Sequence, residues 1–185
     1  MKKLLFFTMS LVLLATGNLS AQTPEDVQAS KERCEKLEKM EAPDKVGVEA
    51  IDQLADEATA MLQEALAITQ EIEKFNARLR GEEVEGEEAT EAEEGEIFPS
   101  EKHCEALLKR IEKQGTAAAS LGTTALNALQ DVKKLKSPIK IAKGTKSLKY
   151  SQAVVKLVAE EAVYQAKATT AILQTVKETV NAIAG

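Results

Sequence analysis

The chain has no tryptophan, one histidine, two cysteines and, among 185 residues, only four phenylalanines and two tyrosines. So few aromatic rings leave little to line a large apolar ligand pocket. They also leave no stacking platform for unpaired bases, so nucleic acid is not an expected partner. A single imidazole excludes the paired Glu-x-x-His motifs of di-iron bundles and the two-histidine His-Glu-x-x-His zinc motif. The sequence contains no Cys-x-x-Cys pair, no phosphate-cradling glycine loop and no Gly-x-Ser-x-Gly elbow. His103 and Cys104 are neighbours in sequence, but on a helix they project about 100° apart and do not form a nucleophile–base pair. His103 reads as a surface group near a helix start. No catalytic, cofactor-binding or metal-ligating residue is assigned, no cofactor is expected, and the chain is read as a non-enzyme.

Only one long hydrophobic run is present, and it lies at the amino terminus. Lys2 and Lys3 precede an apolar stretch from Leu4 to Ala15, followed by small residues ending at Ala21. A basic start, a short apolar core and a small-residue end make a secretory signal peptide, expected over residues 1–21. At about 12 residues the run is shorter than the ~20 that a membrane helix needs. Cleavage after Ala21 would leave Gln22 first. The Leu19-Ser20-Ala21-Gln22 ending resembles signal peptides of exported proteins of Bacteroidetes, which implies a Gram-negative source and a periplasmic or extracellular location. Loss of the segment removes two lysines and no acid, moving the net charge from −6 to −8. No later stretch is apolar enough to suggest a transmembrane segment.

What remains, residues 22–185, is read as one all-α domain: an elongated bundle of three long helices plus a shorter N-terminal one. Thr23 and Pro24 mark a helix start, with Glu25 and Asp26 in the first turn. This helix is expected to reach about Glu41, where Pro43 and Gly47 break it. From Ile51, the residues Leu54, Ala58, Met61, Ala65, Ile68, Ile72, Phe75 and Leu79 follow at alternating spacings of three and four. That heptad seam requires partner helices, and Leu62 and Leu66 widen it toward a bundle. A third helix starts at Ser100, carrying Cys104, Leu107, Leu108, Ile111, Ala118, Leu121, Ala125, Leu129 and Val132 on one side. Gly115 and Gly122 weaken it, with a kink or break expected near residue 115. Ser137-Pro138 ends it, Gly144 closes the connection, and a last helix runs from about Thr145 to Ala184. Leu148, Val155, Val158, Ala162, Ile172, Val176, Val180 and Ile183 are its expected inward face.

Charge is segregated. Between Glu82 and Glu96 there are nine glutamates and no basic residue, so residues 81–99 are expected to be an acidic flexible linker. From Lys133 to Lys156 there are eight lysines and no acid: Lys133, Lys134, Lys136, Lys140, Lys143, Lys146, Lys149 and Lys156. This basic patch is either a solvated helix-hairpin turn or a docking element for an anionic surface.

An even cysteine count in an exported chain makes a Cys34–Cys104 disulfide the expected pairing, with free thiols or an intermolecular bridge as alternatives. Simple up-down packing opposes it, because Cys34 would lie ~36 Å along the axis from Cys104, against the ~6 Å that a disulfide needs. A linker able to span ~65 Å when extended would allow a crossover that sets the third helix parallel to the second.

The leading expectation for function is an exported helical bundle of the cell envelope, acting as a structural or protein-interaction module. Self-association or a protein partner follows from the heptad seam. Periplasmic holdase chaperones of the Skp type resemble the chain in size, export and helical content, which implies an oligomeric holdase as the alternative. Those chaperones are typically basic and carry a small β-rich oligomerisation region, and neither feature is read here. A membrane-surface-binding amphipathic bundle is the remaining reading.

Overall fold

The structure, a computed structural model, describes residues 23–82 and 99–184. The expected signal peptide and nearly all of the expected acidic linker lie outside the described residues. Within them the chain forms four helices and no strand: α1 (Pro24–Glu38), α2 (Glu49–Leu79), α3 (Glu101–Lys134) and α4 (Pro138–Ala184). The all-α helical bundle is therefore the fold.

Local chemistry sets the ends. At α1 the Asp26 amide donates to Thr23 Oγ1 at 3.1 Å, and the Thr23 amide donates back to Asp26 Oδ2 at 3.3 Å. This reciprocal box satisfies two amides that the first turn would otherwise leave unpaired. Bonding to Thr23 also holds the Asp26 carboxyl below its ordinary range. α1 stops at Glu38, short of the expected Glu41, and residues 39–48 form an irregular connection. Gly47 takes φ +72° there, a left-handed conformation suited to glycine. The amides of Val46 and Gly47 then donate to Asp52 at 2.7 and 2.9 Å, pinning the connection to the first turn of α2.

The seam of α2 is buried from Ile51 to Phe75, and its last member, Leu79, is partly buried. Ile51, Ala58, Ala65 and Ile68 are fully enclosed, and Leu54, Met61, Ile72 and Phe75 nearly so. α3 is continuous through Gly115, where a break was expected. At position 115 an added Cβ would meet nothing within 4 Å. α4 begins seven residues earlier than expected. Pro138 occupies its first turn, where a missing amide is tolerated, and Gly144 lies within the helix rather than closing a loop. A Cβ on Gly144 would stand 3.0 Å from Val132 Cγ2 and 3.5 Å from Ile51 Cδ1, so glycine there is a point of close packing. The inward face of α4 also differs. Val154 is enclosed where Val155 was expected, and Val180 is 38% exposed.

The cross-helix pairings give the directions. Thr59 meets Tyr150 and Thr69 meets Glu161, so α2 and α4 run parallel. Gln114 meets Gln165, while Val132 lies against Gly144, so α3 runs antiparallel to α4. Ser30 and Arg33 bond Glu161 while Asp44 reaches Lys143, so α1 runs antiparallel to α4 as well. The helices therefore alternate in direction, and the crossover that a Cys34–Cys104 bridge would have called for is not used. α2, α3 and α4 make the three-helix body, and α1 lies against α4 and α2 without packing on α3.

Candidate functional site

The interior is not uniformly apolar. One buried cluster runs from Leu37, Ile51 and Leu54 to Ala118, Val154 and Val158. A second contains Ile68, Ile72, Phe75, Cys104, Leu107 and Ile172. Between them lies a layer of polar side chains contributed by all four helices.

Glu161 of α4 is its centre and is fully buried. Its Oε1 accepts from Ser30 Oγ of α1 at 2.6 Å and from Thr69 Oγ1 of α2 at 3.0 Å. Its Oε2 accepts from Arg33 Nε of α1 at 2.8 Å. One turn further along α4, Gln165 Nε2 donates to the Ala65 carbonyl at 2.8 Å and to Thr69 Oγ1 at 2.9 Å. Gln165 Oε1 accepts from Gln114 Nε2 of α3 at 3.2 Å. The chain of bonds thus runs from Arg33 through Glu161, Thr69 and Gln165 to Gln114, crossing the body from one flank to the other. Among the described residues, Gln114 Oε1 and Ser147 Oγ are buried side-chain atoms without a partner.

Two further groups border this layer. Cys34 has its thiol pushed up to about 12, first by burial and then by the negative charge of Glu161. Tyr164 is likewise raised to about 12 by burial, with Glu161 and Glu73 adding repulsion. Both stay protonated at neutral pH. The Ser30–Glu161 contact has the distance of a hydroxyl and its general base. However, Ser30 is 3% exposed and Arg33 is fixed on the other carboxylate oxygen. The pair holds α1 to α4 and presents no hydroxyl to solvent.

The expected Cys34–Cys104 bridge is not formed: both cysteines are free thiols. The axial offset is smaller than straight up-down packing implies, because the irregular 39–48 connection lets α1 rise until Ser30 and Arg33 are level with Glu161 and Thr69. A lateral separation adds to the axial offset that remains. Cys34 lies on α1, outside the α2–α4 pair, while Cys104 on α3 is buried in the apolar cluster with Phe75 and Ile172. Burial pushes the Cys104 thiol up to about 11.

His103 proves to be a capping residue. Its Nδ1 lies 2.9 Å from Ser100 Oγ and 3.2 Å from the Ser100 amide, which donates to it. Its ring tilts against Phe75 at 6.5 Å between centroids.

The eight lysines of the basic patch are all exposed. They begin in the last turn of α3 and continue along α4, so Lys133, Lys134, Lys136 and Lys140 gather at the α3–α4 hairpin. Lys134 pairs with Asp131 at 3.1 Å and Lys143 with Asp44 at 3.6 Å. Apolar side chains lie among them: Ile139 is 72% exposed and Ile141 38%.

Sequence reasoning missed the polar layer, although its position was encoded. Gln114 falls in the same three-and-four series as Cys104, Leu107, Ile111, Ala118 and Leu121. Glu161 and Gln165 fall likewise in the series through Val154, Val158, Ala168 and Ile172. Among the described residues no cluster of metal-ligating side chains occurs, and no helix is long and apolar enough to cross a membrane. No known protein family, curated protein or solved structure matches the chain.

Proposed function

We propose that this chain is an exported, non-enzymatic helical bundle of the cell envelope that acts as a structural or protein-interaction module. The observation that carries this reading is the engagement of Glu161 on both carboxylate oxygens within the polar layer. Glu161, the one fully buried carboxylate among the described residues, is engaged by three donors from two other helices, and its neighbours Gln165 and Thr69 bond across helices. A polar group so engaged fixes register and identity of packing rather than meeting a substrate. The groups left to contact other molecules are on the surface: the lysines of the hairpin and the exposed side chains Leu126, Ile139 and Val163. Export is supported by the sequence of residues 1–21.

The test is affinity capture of the chain beginning at Gln22 from envelope extract of its source, alongside a broad hydrolase screen. The expected result is a stoichiometric protein partner and no turnover. Turnover sensitive to substitution of Glu161 or Ser30, with the fold intact, overturns the reading. Suppression of client aggregation by an oligomer of the chain would favour the holdase alternative instead.

A further inference from the structure

We propose that the α3–α4 hairpin is a docking element for an anionic lipid bilayer. In this arrangement Ile139 enters the interfacial region and Lys133, Lys134, Lys136 and Lys140 meet the headgroup phosphates. The inference deepens the reading of a surface-acting module and rests on it.

Three observations carry it. The first is an isoleucine where burial would be expected. Ile139 is 72% exposed at the first turn of α4, beside a connection of only three residues. The second is the charge around it. The last turn of α3 carries Lys133 and Lys134, and no acid occurs in the first turn of α4. Lys136 and Lys140 flank Ile139 in sequence, and all four lysines are exposed. The amino end of α4 adds the partial positive charge of its unpaired amides. The third is the placement of acids. Those at this end of the bundle lie on α2, on α3 and in the α1–α2 connection, and several are already engaged: Asp131 with Lys134, Asp44 with Lys143, and Asp52 with the Val46 and Gly47 amides. The nine-glutamate segment is attached at the opposite end, after α2 and before α3.

The side-chain chemistry selects the bilayer over an acidic protein. Protein interfaces place aromatic or arginine anchors in shaped pockets over a broad area. Exposed aliphatic side chains set among long lysine stems offer neither. They suit a fluid interface, where lysines keep their ammonium groups among phosphates while an apolar neighbour dips below.

The test uses the chain beginning at Gln22, which retains every described element. It is sedimented with vesicles of phosphatidylglycerol and phosphatidylcholine in equal parts, or of phosphatidylcholine alone, at low and at physiological salt. Binding is expected to the anionic vesicles only and to weaken with salt. A lysine near a charged bilayer contributes roughly a fivefold factor in affinity, so K136Q/K140Q is expected to weaken binding at least about tenfold. I139N is expected to weaken it with the helical circular dichroism unchanged, since the side chain is exposed. I139W supplies the only tryptophan, and its emission is expected to shift to the blue on binding. Equal binding by wild type and both variants, or binding without the shift, overturns the proposal. Retention on polyglutamate without vesicle binding also overturns it, in favour of an acidic protein. If vesicles fail while a stoichiometric protein partner is captured, only the lipid inference falls. If turnover is found, the functional reading falls whatever the vesicles do.

Discussion

Deleting one partner of a buried ion pair strands the other in a medium that cannot hydrate it, whereas neutralising the charge in place does not. Arg33 and Glu161 form such a pair, with side-chain exposures of 16% and 0%. Arg33→Ala would leave the Glu161 carboxylate with two hydroxyl donors and is expected to destabilise by ~3 kcal/mol. Glu161→Gln keeps an acceptor for Ser30 and Thr69 and frees Arg33 to reach water, so a loss of about 1 kcal/mol is expected. Urea denaturation of the two variants checks the order, and a larger loss for Glu161→Gln would refute this account of the layer. The thiols give a second expectation at this scale. Cys34 and Cys104 are both raised and partly or wholly buried, so a native-state thiol reagent at neutral pH should modify them slowly, and unfolding should release both. Non-reducing mass spectrometry should find two thiols, and a cross-linked 34–104 peptide would contradict the fold. Hydrophobic pattern alone did not reveal this site, because a glutamate or glutamine on a seam reads as an interruption. Only the unbroken three-and-four spacing through Gln114 and through Glu161 and Gln165 marked them as interior.

Legibility at the scale of whole helices followed the same rule. α2 was read residue by residue because every seam position from Ile51 to Phe75 is apolar, and burial confirms each. The start of α4 was misread because Pro138 and Gly144 signal a break in isolation. The first is a favourable opening residue, and the second is demanded by the approach of Val132. α1 was placed correctly, but its height was not, since nothing in sequence shows how far an irregular ten-residue connection climbs. The glycines separate these causes experimentally. At Gly115 an added Cβ meets nothing, and at Gly122 it lies 3.6 Å from Val155, an ordinary contact. Replacing either by alanine should stabilise by about 0.5–1 kcal/mol through helix propensity. Gly144→Ala gains the same propensity but presses on Val132 and Ile51, both locked in the core, and is expected to destabilise by about 1 kcal/mol. Thermal melts of the three variants test the set. Stabilisation by Gly144→Ala would mean that the α2–α3–α4 junction is looser than the geometry implies.

Over the whole molecule, two apolar clusters joined by a polar layer make stability sensitive to any charge that forms inside. Three buried or half-buried acids remain protonated in the fold well beyond their ordinary range. Cys34 is raised from 9.0 to about 12, Cys104 from 9.0 to about 11, and Tyr164 from 10.0 to about 12. In the unfolded chain these groups lose their protons at ordinary values, while the native state still binds them. Stability is therefore fully present below pH 9 and falls as pH rises from 9 toward 12. Lysine deprotonation overlaps this window, so the thiols must be isolated by comparison. Cys34→Ser/Cys104→Ser has no titrating thiol, and its melting temperature should decline less steeply above pH 9 than that of the parent, whatever its value at neutrality. Tyr164→Phe should flatten the upper part of the same limb. Glu161→Gln removes a charge that raises both Cys34 and Tyr164, and should flatten it in part. Melts followed by circular dichroism across the alkaline range decide the matter. Parallel curves for parent and double-serine variant would show that the thiols do not couple to folding. A shallower curve for that variant, with a further change from Glu161→Gln, would tie the alkaline limit of the molecule to the polar layer beneath α1.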